Sequence, residues 1–154
     1  MSKLNKALTI FLIVAIVAAS GFIVYFAVTP QEGDKFTEFY ILSAEGNAQD
    51  YPKQVILGEP VNIRIGVVNH EYQPASYQAK IKIGDIETSE VNIGTLANGE
   101  KWEREVSFTP QLAGERQKID FYLYKNGEDE PYLKEPLRLY IDVISPQQSI
   151  WTPL

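Results

Sequence analysis

An all-β sandwich of immunoglobulin type, with about seven strands behind one N-terminal transmembrane helix, is predicted by three observations. Period-2 alternation runs through most of the chain after residue 35, turn-forming dipeptides punctuate it, and one uncharged apolar stretch precedes it. No helical periodicity persists for two turns beyond that stretch.

The apolar stretch is Ala7 to Val28, reading ALTIFLIVAIVAASGFIVYFAV, with Thr9, Ser20 and Tyr25 as its only polar side chains. As a helix it spans roughly 33 Å, enough to cross the hydrocarbon core of a bilayer. Lys3 and Lys6 precede it, whereas Gln31, Glu32, Gly33, Asp34 and Lys35 bring no net positive charge after it. The positive-inside bias then predicts residues 1–6 as a cytoplasmic stub, 7–28 as the span and the remainder as exterior. Tyr25 and Phe26 suit the outer interface, and Pro30 stops the helix. Two processed forms remain open: a signal peptide cleaved near Ala18-Ala19-Ser20, and a pilin-type signal cut near Lys6-Ala7. The apolar run continues from Phe22 to Val28, longer than an ordinary signal core, and this favours an uncleaved signal anchor. Ala15 and Ala19, with Ala18 and Gly21 nearby, would let a second membrane helix approach closely. Ordinary small-residue content in a lipid-facing anchor is the favoured account of them.

The chain carries 14 Lys+Arg against 20 Asp+Glu, a net charge of -6. With Lys3 and Lys6 set aside, 12 basic side chains face 20 acidic ones, a net of -8 beyond the span. Such a domain is a poor match for nucleic acid or an anionic membrane surface, so no nucleic-acid partner is expected. With no cysteine, the chain offers no disulfide, thiolate metal site or thiol nucleophile. About 115 residues suffice for one independent core. There is no Asn-x-Ser/Thr sequon.

Residues 29–34 read as a short linker, 35–144 as the sandwich and 145–154 as a tail. Val61, Ile63, Ile65 and Val67 alternate with Asn62, Arg64 and Gly66, giving one buried and one wet face. Tyr77, Ala79, Ile81 and Ile83 do the same, as do Ile119, Phe121 and Leu123, and Leu137, Leu139, Ile141 and Val143. Trp102, Val106 and Phe108 share a parity that Arg104 interrupts. Phe36 to Leu42 and Ile86 to Leu96 are strand-like but irregular, which predicts edges or bulges. Gly84-Asp85 has the spacing of a two-residue hairpin. Asn98-Gly99 and Asn126-Gly127 tolerate positive φ, and Pro110 to Gly114 reads as a crossover between sheets.

Chemistry is scarce. His70, the only histidine, follows a strong strand in Asn69-His70-Glu71-Tyr72. A histidine beside a glutamate can form half of an acid–base pair, but no second catalytic element accompanies it, so a backbone-bonded turn histidine is expected. Glu128-Asp129-Glu130 lacks the ligand spacing, central glycine and closing glutamate of an EF-hand loop and reads as a solvated tip. No phosphate loop or zinc spacing is present, and no enzyme, cofactor or metal is expected. Candidate partner-contact residues are Asn69, His70, Glu71 and Tyr72 at a strand end, Tyr122 and Tyr124 on an outward parity shared by Tyr140, and Trp151 in the tail. A structural alternative for the strand end has Asn69 and His70 fixing the turn while Tyr72 packs inward.

Several stretches resemble an archaeal membrane-protein family, domain of unknown function sixteen-sixteen. They are Lys35-Phe-Thr-Glu-Phe-Tyr-Ile-Leu42, Tyr51-Pro52, Gly58-Glu59, Gly66-Val-Val-Asn-His-Glu-Tyr72, Asn98-Gly-Glu-Lys-Trp102, Lys118-Ile-Asp-Phe-Tyr-Leu-Tyr-Lys125 and Leu137-Arg-Leu-Tyr-Ile-Asp-Val143. Family members commonly carry several membrane helices before this domain, and this chain carries one. The resemblance implies an archaeal source, an exterior location and a fold akin to cell-adhesion-related sandwich modules, and it transfers no catalytic residue.

These readings converge on a non-catalytic, single-pass module of the cell membrane whose exterior sandwich binds or assembles with a protein partner of the envelope, a glycan being an admissible alternative. Two further readings are a structural or stator subunit of a surface filament, and an accessory subunit of an envelope glycosylation or other membrane complex.

Overall fold

The computed structural model describes residues 3–29 and 33–146, in two compact units divided after Asp34. The first unit is helix α1, Lys3–Val28, which begins within the basic stub and has no buried residue. By length and composition it can cross a membrane. Its serine and threonine hydroxyls are satisfied within the helix: Thr9 and Ser20 donate to Asn5 and Ile16 carbonyls at 2.8 Å, and Thr29, just beyond, to Tyr25 at 2.6 Å. Such bonds back to the preceding turn satisfy a hydroxyl without a partner outside the helix.

The second unit is an immunoglobulin-like β-sandwich of eight strands: β1 (Phe36–Ser43), β2 (Gln54–Ile56), β3 (Val61–His70), β4 (Ala75–Ile83), β5 (Ile86–Leu96), β6 (Lys101–Phe108), β7 (Gly114–Lys125) and β8 (Leu137–Ile144). One sheet has the order β1-β3-β6 and the other β2-β8-β7-β4-β5. All pairings are antiparallel except β2 with β8. The strand beyond the expected seven is β2, three residues long and too short to show alternation.

The alternating runs supply the core. Ile63, Ile65 and Val67 from one sheet meet Ala79, Ile81, Ile119, Phe121 and Leu123 from the other, all essentially closed to solvent. Phe108 and Phe121 bridge the two sheets edge to face, with centroids 6.4 Å apart. Trp102, Val106, Leu137 and Leu139 keep the expected inward parity but are only partly buried. The irregular runs are edge strands: β1 borders the smaller sheet, and β5 borders the larger one with register shifts at Tyr77/Gln78 and Ile81/Lys82. Gly84-Asp85 closes the β4–β5 hairpin, and the 109–113 segment carries the chain between sheets.

Strand β1 mixes the usual pattern: Phe39 and Ile41 pack against the core, but they share their face with polar residues. Thr37 and Ser43 point inward and are buried, while Phe36 and Tyr40 lie on the outer face. The Tyr40 ring lies over Gly66, where a Cβ would meet its Cζ at 2.1 Å, so only glycine leaves room for it.

Candidate functional site

The strand-end tetrad divides by direction. Asn69 is fully buried and holds the β3–β4 turn with both ends of its amide. Its Nδ2 donates to the Gln73 and Leu96 carbonyls, each at 2.8 Å, and its Oδ1 accepts the Glu71 N–H at 2.8 Å. The neighbouring 97–100 turn is tied to it through Gly99 N–H to the Asn69 carbonyl, 2.6 Å. A short amide is the side chain that can satisfy two carbonyls and one N–H in so small a space.

His70 faces outward on the smaller sheet. Its ring stacks on Phe36 at 4.7 Å, and Nε2 lies 2.9 Å from Glu38 Oε1. Glu71 turns the other way, so the sequence-adjacent His70–Glu71 pair does not form. Instead Glu71 sits in a buried network assembled from distant strands. It accepts the Thr37 hydroxyl at 2.8 Å and the Lys125 ammonium at 3.1 Å. Thr37 has one hydroxyl proton and gives it to Glu71, so the Tyr77 hydroxyl, 2.8 Å away, donates to Thr37. The Tyr132 hydroxyl accepts the Thr37 N–H at 2.8 Å, bonds Glu71, and lies on a ring that faces Lys125 at 4.7 Å. Burial pushes the Glu71 carboxyl up, but the bonds from Thr37, Lys125 and Tyr132 and the Lys125 charge outweigh it and hold the group below its ordinary range. This is a structural cluster with every charge compensated.

Tyr72 does not pack inward as the structural alternative for this turn supposed. It is 43% exposed and holds φ at +59°, a conformation that L side chains rarely adopt, with its N–H bonded to Asn98 Oδ1 at 3.0 Å. Strained, exposed aromatics are the kind of residue that loop surfaces hold for contact. His70 and Tyr72 are therefore the outward members of the tetrad, and Asn69 and Glu71 hold its frame.

Tyr122 and Tyr124 lie elsewhere, on the outer face of the five-stranded sheet, with half-exposed Tyr140 on the adjacent strand β8. Each ring stands beside a cation: Lys82 over Tyr122 at 5.2 Å, Lys80 over Tyr124 at 5.6 Å, Arg116 over Tyr140 at 5.7 Å. Lys80 also bridges Glu87 and Glu90, and Arg138 grips Asp120 bidentately at 2.5 and 2.9 Å. The sequence pattern finds these tyrosines by parity but not Lys82, Arg116 or Arg138 beside them, because cross-strand register alone brings them together. Trp151 lies outside the described residues. Glu128, Asp129 and Glu130 are all exposed, and among the described residues no group of three or more metal-ligating side chains gathers.

Fold and surface together define an immunoglobulin-like module behind an apolar helix. The family described as Domain of unknown function (DUF1616) matches residues 30–143, and the chain belongs to it. No curated protein matches. Among solved structures, the chain is similar to the CARDB domain of a Pyrococcus furiosus protein, crystallised in complex with di-metal ions. Identity is 13%, coverage is 71% of this chain and 93% of that one, and the TM-score is 0.50. The solution structure of that domain gives 14% identity, coverage of 72% and 98%, and the same TM-score of 0.50. At this identity the likeness is one of fold.

Proposed function

We propose that this chain is a membrane-anchored, non-catalytic binding or assembly module, carried on the exterior face of an archaeal cell membrane with its N-terminus in the cytoplasm. The observation that carries the reading is the combination, in one chain, of an apolar helix long enough to cross a membrane and a sandwich whose buried carboxylates, Glu71 and Asp120, are each held by a cation. Ion pairs of this kind build a scaffold, and a module of this build works through its loops and faces. His70 and Tyr72 at one end form the contact surface for a protein partner.

Membrane fractions of cells producing the tagged chain test it. The protein should stay with the pellet through alkaline carbonate and leave only with detergent. Detergent extracts should then contain a stoichiometric partner that is lost when His70→Ala and Tyr72→Ala are combined, with the melting temperature nearly unchanged. Release by carbonate would remove the anchor, and partner loss that tracks unfolding would remove the contact surface.

A further inference from the structure

An open groove of about 880 Å³ lies on the outer face of the larger sheet, between the β4–β5 hairpin and the 111–118 segment. This is the end of the sandwich opposite to His70 and Tyr72, since β4 starts beside that loop and ends at the groove. Its walls carry Lys82, Arg116, Lys118 and Arg138, with Tyr122 and Asp120 between them. Asp120 is taken up by Arg138. Among the described residues, Lys82, Arg116 and Lys118 form no ion pair, and Asp85 at the hairpin tip is the other carboxylate of the wall. A domain of strongly negative net charge thus gathers four cations against two carboxylates in one concavity, three of the cations outside any ion pair.

The backbone is bent to place one of them. Strand β7 loses register with β8 between Gly114 and Gln117, and Arg116 within that bulge holds φ at +49°. Its N–H is secured by Asp142 Oδ1 at 2.7 Å, which leaves the exposed guanidinium beside the Tyr140 ring. Bulges re-aim side chains, and strained non-glycine residues gather where a site needs them.

We propose that this groove binds an anionic saccharide, a glycan carrying carboxylate or sulfate groups. The cations would take the acidic groups, Arg116 by a two-pronged contact, while the Tyr122 ring in the groove offers apolar surface to a sugar C–H face. The groove is open to solvent, which admits a chain of sugar units. This names a ligand class for the exterior binding module and rests on that reading for the ligand to be within reach.

The test titrates the full-length chain in neutral detergent with tetragalacturonate by calorimetry, beside a neutral glucose tetrasaccharide, a short polyglutamate peptide and phosphatidylglycerol vesicles. Tetragalacturonate should bind at least about tenfold more tightly than the neutral sugar and weaken as salt rises from about 20 to about 200 mM. Lys118→Ala and Arg116→Lys should each weaken it about tenfold, while Lys134→Ala, an exposed lysine at the other end, should leave it unchanged. Circular dichroism melts confirm that the variants fold. No binding, equal binding of the neutral sugar, or equal effects of Lys118→Ala and Lys134→Ala would overturn the proposal. Tighter groove-dependent binding of the peptide or the vesicles would also overturn it, by assigning the cations to a different ligand. The solubilised assay is indifferent to topology, so its failure leaves the anchored-module reading standing.

Discussion

Replacing Phe121 by alanine tests the register of the whole larger sheet. Phe121 has no solvent exposure, sits in β7 between β4 and β8, and meets Phe108 of the opposite sheet edge to face. Phe→Ala in a core costs about 3–5 kcal/mol, and a site walled by hydrogen-bonded strands on both sides collapses little into the gap. The aromatic pair adds a further 0.5–1.5 kcal/mol or so, which places the expected loss near the top of that range, about 4–5 kcal/mol. A domain of this size has about 5–15 kcal/mol in total, so the variant should lose at least about a quarter of its stability. Tyr122, one residue along, faces outward, and Tyr122→Ala forfeits partial burial and the Lys82 contact, about 1 kcal/mol. Urea denaturation of the detergent-solubilised chain, followed by tryptophan fluorescence, reads both, because Trp102 packs against the core. Equal losses for the two variants, or a Phe121→Ala loss under about 1.5 kcal/mol, would refute the register.

The remaining predictions follow from the polar frame. Asn69→Ala should cost about 2–4 kcal/mol, since it strands two buried carbonyls and the Glu71 N–H, whereas His70→Ala should cost under about 1 kcal/mol; denaturant midpoints compare them. Because the folded Glu71 carboxyl lies below its unfolded value, its contribution is present above about pH 4.5 and is lost as pH falls through the folded pKa. Glu71→Gln should therefore lower the melting temperature at neutral pH and converge on the parent in acid, so parallel melting curves across the whole pH range would contradict the network. Gly66→Ala should cost about 1–3 kcal/mol by expelling the Tyr40 ring, and most of that penalty should vanish in a Tyr40→Ala background, as a double-mutant cycle would show.

The inward faces of β3, β4, β7 and β8 were legible because period-2 alternation and burial coincide there. The hairpin at Gly84-Asp85 was legible because two residues leave few ways to turn. Strand β2 was not, since three residues carry no period and its partner β8 lies some 90 positions away. Strand β1 misleads a hydropathy reading: Thr37 goes inside because Glu71 and Tyr77 satisfy its hydroxyl, and Tyr40 stays outside because Gly66 makes room. Glu71 likewise looked like a surface residue, and its inward turn depends on Lys125 and Tyr132, more than 50 residues downstream. The groove was hidden because the aim of Arg116 is set by a bulge and a bond to Asp142, neither of which leaves a local pattern.

Topology tests the central claim most directly, and the absence of native cysteine makes the measurement clean. Single cysteines at Ser2→Cys in the stub and Asp129→Cys in the exposed β7–β8 connection are treated with a membrane-impermeant maleimide, first on intact cells and then after lysis. The account predicts that Asp129→Cys labels on intact cells and Ser2→Cys only after lysis. The reverse pattern would contradict it and place the sandwich in the cytoplasm.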